Sequence, residues 1–314
     1  MRQDYSLRLA FPFLCGGFSF VLLSLGSFYA APFLIFSYLA PLPLFLLGFL
    51  FSYEEVLIGA LVASFLHVFF ADGGAGHLVG YAVFYVLPPV GFSYIVKRYH
   101  EVMDWGKGPL EKPFEAFAGQ YFLVIALGFV LLLQFYFSMP LSENRLEHLF
   151  AQLSPFFAGE DCVVQEKVLP WFQDYFSGIV GFSWMLMVFL NLVLAQSLAK
   201  RLDRPMVVTL SLQHWKVFGW QYWFLASMLM GVIFAPVSFQ NCFKSLAFLS
   251  LFPFLLEGIS ILDGVCGVLF KQAPWKTIML YGLLVFLGWP LVALVCLGLF
   301  EPWVHVRRRL GNPS

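Results

Sequence analysis

Nine apolar runs, separated by short charged clusters, constrain this chain more than any other feature. They lie at about 9–30, 33–52, 56–71, 78–96, 118–138, 177–198, 219–236, 246–270 and 277–300. A helix needs roughly 20 residues to cross about 30 Å of hydrocarbon, and these runs have that length. None alternates polar with apolar residues, so a membrane barrel is excluded, and each backbone amide must find its partner inside its own segment. The fold predicted is all-α: a polytopic membrane helix bundle of about eight or nine transmembrane helices, one integral membrane domain over 1–314, with interfacial amphipathic helices. Composition agrees, with 61% hydrophobic and 11% charged residues against about 45–50% apolar in soluble domains. Eighteen Lys and Arg balance eighteen Asp and Glu, which leaves no basic excess for nucleic acid.

The first run begins after Arg2, Asp4 and Arg8 and continues almost directly into the second. That length argues for an uncleaved anchor rather than a signal peptide. Pro41 and Pro43 in the second run and Pro88-Pro89 in the fourth should kink or interrupt their helices and free carbonyls that neighbours must satisfy. Asp72-Gly-Gly-Ala-Gly-His77 reads as a loop too rich in glycine to be helical.

Lys and Arg favour the cytoplasmic side. With the N-terminus inside, twelve basic residues fall inside and six outside, but the six include Arg307-Arg308-Arg309. The expected resolution is an inner tail, with one of the last three runs crossing incompletely and 246–270 as a candidate. The polar stretch 139–176 then lies outside. Its Leu146, Leu149, Phe150, Leu153, Phe156 and Phe157 recur at helical spacing, as in an amphipathic helix lying on the membrane. A second amphipathic stretch, from Val168 to Phe176, follows Pro155. Cys162 and Cys242 both sit in outer loops, where a disulfide between them is an option and two unpaired thiols the alternative.

A carboxylate at mid-bilayer costs at least about 2.5 kcal/mol, so Glu257 calls for an explanation. It would bind a substrate amine or coupling ion, carry a proton, or bond to a neighbouring helix as a structural group. Asp263 follows six residues later, about 9 Å along a helix and on another face unless the helix is irregular near Gly258. Asn191, Gln196 and Gln134 read first as interhelical hydrogen-bonding groups, and Asn191 joins Glu257 and Asp263 as a candidate substrate contact. His67, Asp72 and His77 match no compact metal motif, so no metal is expected. The absence of a GxSxG elbow, HExxH site, phosphate loop or GxGxxG fingerprint argues against an enzyme and against a cofactor.

Leu39-Ala-Pro-Leu-Pro-Leu-Phe-Leu-Leu-Gly48, with the small-residue third run and proline-bearing fourth, resembles the start of the YybS-like family of bacterial membrane proteins. Pro253-Phe-Leu-Leu-Glu-Gly258 and the closing Gly298-Leu-Phe-Glu-Pro-Trp-Val-His-Val-Arg-Arg-Arg309 resemble the end of its proteobacterial members. The arrangement is distantly similar to the substrate-binding components of energy-coupling-factor vitamin transporters. The resemblance implies a bacterial cytoplasmic (inner) membrane protein that binds or transports a small molecule and relies on separate ATPase or coupling subunits. The alternative is a non-catalytic scaffold whose loops recruit partners. Beyond the lipid bilayer itself, the sequence names no partner.

Overall fold

A computed structural model of the chain describes residues 2–27, 34–70, 75–104, 123–128, 131, 162–202, 215–269 and 289–306. Among them every regular element is helical. The named helices are α1 (Arg2–Ser27), α2 (Leu34–Leu39), α3 (Leu42–Leu50), α4 (Tyr53–Phe70), α5 (Ala75–Tyr81) and α6 (Leu87–Asp104), with a π turn at Ala82–Val86. Then come α7 (Cys162–Arg201), α8 (Gly219–Phe234), α9 (Val237–Ser250), α10 (Phe252–Leu269) and α11 (Trp289–Val304). Four stretches are long and apolar enough to cross a membrane: Tyr53–Phe70, Leu78–Arg98, Asp174–Arg201 and Phe239–Val265. The chain divides into two compact units, Met1–Phe122 with Leu186–Ser211 and Leu123–Met185 with Leu212–Ser314. Helix α7 contributes residues to both.

In the first unit α1 packs against α2, α3 and α4, and α6 against α3 and α4. The reason is legible in α4. Val56, Gly59, Ala60 and Ala63 are its buried residues, one face at spacings of three and four, and small enough to admit a neighbouring backbone. A Cβ on Gly16 of α1 would run into the Gly59 carbonyl. The opposite face carries Leu61, Phe65, Val68 and Phe69, all exposed, Phe65 at 60%. Large apolar groups outside and small ones inside are the sorting a lipid solvent permits. Phe92 of α6 fills the space beside α3, its ring 5.9 Å from Phe45 and 5.1 Å from Phe49.

The second run is split as its prolines require. It forms α2 and α3, with Ala40 and Pro41 in the turn between them. The Pro88-Pro89 pair does not interrupt its run. The π turn at Ala82–Val86 precedes it, widening the helix where the missing proline amides leave carbonyls unclaimed. Two expectations are corrected nearby. Helix resumes at Ala75, so Gly76 and His77 are helical. Glycine's cost in a helix, about 1 kcal/mol, is smaller than that of leaving backbone groups unpaired away from water. The charges from Lys97 onward do not end the fourth helix, which continues to Asp104, because charge limits burial in lipid rather than helix formation. Lys97 Nζ donates to Glu54 Oε1 at 2.7 Å, and Arg98 Nε to Tyr94 Oη at 3.0 Å. The ion pair puts the start of α4 and the later part of α6 at one end of the unit.

In the second unit α8 and α9 form a hairpin, and α10 crosses α11 closely. A Cβ on Gly258 would strike the Leu294 carbonyl, and one on Gly298 the Phe254 carbonyl. Two glycines on facing helices thus let the backbones touch. The first part of α7 runs along α9 in the same direction. Asp174 Oδ2 accepts from Lys244 Nζ at 2.5 Å, and the Phe182 ring lies 5.3 Å from both Phe248 and Phe252. The stretch 162–176 is the beginning of one 40-residue helix, continuous with the sixth run. Residues 139–161, Asp72, most of the fifth run and the first part of the ninth lie outside the described residues.

The run 246–270 is divided at Leu251 into α9 and α10, because Pro253 has no amide to give the Leu249 carbonyl. Even so, Phe239–Val265 is a 27-residue apolar stretch, long enough to cross. The shorter element is α8, with 16 residues and a length of about 24 Å.

Phe65→Lys should reduce membrane insertion, since a lysine in the hydrocarbon costs about 2.5–3.5 kcal/mol; membrane-fraction yield against a Phe65→Leu control checks this. Gly258→Val should destabilise the folded protein by about 1–3 kcal/mol or more through overpacking, read as a lower Tm in detergent, with Gly80→Val, where a Cβ meets open space, nearly neutral.

Candidate functional site

The site is built around the start of α8. Residues 215–218 are not helical, and Phe218 is extended, with φ −85° and ψ 150°. A helix that begins here presents amide groups without intrahelical partners. Two side chains serve the approach to it. The Phe218 amide donates to Gln221 Oε1 at 2.9 Å, and the Val217 amide donates to Glu257 Oε2 at 3.3 Å. Glu257 is 5% exposed. Its charge lies beside the positive end of the α8 dipole, which stabilises a carboxylate there.

Tyr222, one turn into α8, gathers the other helices. Its ring packs 4.9 Å from Phe254 and 6.2 Å from Trp303, and its hydroxyl donates to the Gly298 carbonyl at 3.4 Å. The phenol is within electrostatic reach of both Glu257 and Glu301. Glu301 is buried near the end of α11, where its Oε2 accepts from the Val306 amide at 3.0 Å and its carbonyl from the His305 amide at 2.9 Å. His305 takes the left-handed conformation, φ 53°, that ends many helices. Tyr222 thus ties α8 to α10 and α11, with the buried Glu257 and Glu301 both within electrostatic reach of its phenol.

The sequence candidates are placed as follows. Asp263 lies farther along α10, half-buried, and α10 is regular through Gly258, so Asp263 and Glu257 occupy different faces. Asn191 belongs to the first unit, where its Nδ2 donates to the Tyr38 carbonyl at 2.6 Å and the Met187 carbonyl at 2.8 Å. That is interhelical bonding of the kind expected. Cys242 is a free, half-buried thiol in α9; Cys162 opens α7, and its side chain lies outside the described residues. His67 stacks on Tyr81 with ring centroids 4.5 Å apart. Sequence reasoning missed Glu301, Tyr222 and Gln221. Gln221 had a signal, three residues after the helix-opening Phe218 and so at the position from which a side chain reaches back. Glu301 had one in its own apolar surroundings, hidden by Pro302 and the basic tail.

Compared with known proteins, the chain matches no family model, no curated protein and no solved structure. The functional reading therefore rests on the site itself.

Glu257→Leu leaves the Val217 amide without its acceptor. The expected cost is about 1–3 kcal/mol, seen as a lower Tm in detergent, whereas Glu257→Gln, which keeps an acceptor oxygen, should lose much less.

Proposed function

We propose that this chain is a membrane-embedded component that binds or transports a small molecule and depends on a separate ATPase or coupling subunit for energy. Its apolar runs make about eight or nine crossings of a bacterial inner membrane with the N-terminus in the cytoplasm, as the basic-residue distribution favours. The observation that carries the reading is Glu257: a buried carboxylate beside non-helical backbone at the start of a helix, with Tyr222 and Glu301 close by. Membrane transporters build substrate sites beside non-helical backbone at helix starts, since irregular backbone at membrane depth is tolerated only when buried or lining a cavity. Two acids and an aromatic ring favour a ligand bearing an amine or another organic cation. The YybS-like resemblance and the distant similarity to vitamin-binding transporter components support the same reading by analogy of arrangement.

A scaffold that recruits partners is the second reading, favoured by the bond from the Val217 amide, which gives Glu257 a purely structural task. A thermal-shift screen of vitamins, amines and neutral metabolites in detergent separates the two. The binding reading expects at least one amine-bearing compound to raise Tm in the unaltered protein and not in Glu257→Gln; a ligand at one hundred times its Kd stabilises by about 2.7 kcal/mol. A flat screen, or an undiminished response in the variant, leaves the scaffold.

A further inference from the structure

The first unit contains a second polar cluster, at the break between α2 and α3, which the reading above does not use. Pro41 and Pro43 supply no amides to the preceding turn. The Ala40 carbonyl accepts from Ser19 Oγ of α1 at 2.7 Å, and the Tyr38 carbonyl from Asn191 Nδ2 of α7 at 2.6 Å. Tyr81, at the end of α5, is 3% exposed and within reach of the Ser19 hydroxyl. Three other helices therefore converge on one interrupted helix.

Two polar atoms in this cluster are unsatisfied. Asn191 Oδ1 and Tyr81 Oη are fully buried and have no hydrogen-bond partner among the described residues. Exchanging the amide oxygen and nitrogen of Asn191 does not cure this, because both of its described partners are carbonyls, of Tyr38 and Met187. Each needs a donor, so the nitrogen must face them and the oxygen is left as an acceptor alone. Ser19 is committed in the same sense: its hydrogen points at Ala40, leaving oxygen lone pairs. An orphaned acceptor at this depth costs about 1–3 kcal/mol unless something fills it.

We propose that the α2–α3 break, together with Ser19, Tyr81 and Asn191, binds a monovalent cation of the sodium type. The oxygens these helices bring to the break are an amide, two hydroxyls and the Tyr38 and Ala40 carbonyls, all neutral. Divalent cations favour carboxylates, whereas carbonyls released by a broken membrane helix suit a monovalent ion. The site stands independently of the acidic cluster in the second unit.

Binding of radiolabelled sodium to the purified full-length chain in detergent, with N-methyl-glucamine as the replacement ion, tests this. Tm is measured in the same two salts at equal ionic strength. Saturable binding and a higher Tm in sodium are expected. Tyr81→Phe removes one oxygen without breaking any described hydrogen bond and keeps the ring on His67; its sodium affinity should fall about tenfold or more. Absence of saturable binding by the unaltered protein, with equal Tm in both salts, would mean that only water fills the cluster and would overturn the proposal. So would a folded, monodisperse Tyr81→Phe that binds sodium as tightly as the parent.

Discussion

The structure depends on one constraint: a peptide group surrounded by lipid has no water to bond with, so every interruption of a helix must be repaired from inside the protein. The two repairs seen here use different chemistry. At the α2–α3 break the exposed groups are carbonyls, and the side chains that reach them are donors, Ser19 and Asn191. At the start of α8 the exposed groups are amides, and the side chains that reach them are acceptors, Gln221 and Glu257. Polar residues in apolar runs are thus accounted for by the backbone they face.

Much of this was legible from residue order alone. Long apolar runs announce helices, and the described residues include four long enough to cross, with shorter ones among them. Pro41 and Pro43 announced their break, whereas Pro88-Pro89 sit inside a helix that is only widened before them. Glu257 stood out as a charge far from either end. Other features were hidden for a physical reason. Within runs where almost every residue is apolar, hydropathy does not say which face of a helix is buried. The face of α4 that packs is marked by size instead, through Gly59, Ala60 and Ala63.

The break at Leu251 was missed although Pro253 signalled it, because the surrounding run reads as one uninterrupted span. Tyr81 and Ser19 gave no signal: hydroxyls are common in membrane helices, and only the reach of Ser19 to Ala40 on one side and Tyr81 on the other singles them out. The close crossing of α10 and α11 was equally invisible, since Gly258 and Gly298 are 40 positions apart and nothing in their order says that they face each other's backbone.

The arrangement of α4 also bears on how this protein meets water. Its outward residues, Leu61, Phe65 and Phe69, offer more oily area than the small inward set. Moved into an aqueous phase, such a rod would gain by turning over, hiding the phenylalanines and presenting the glycine and alanines. Swapping perimeter side chains for polar ones would change the outward face alone and leave in place the small-residue seam against Leu44 and Leu47.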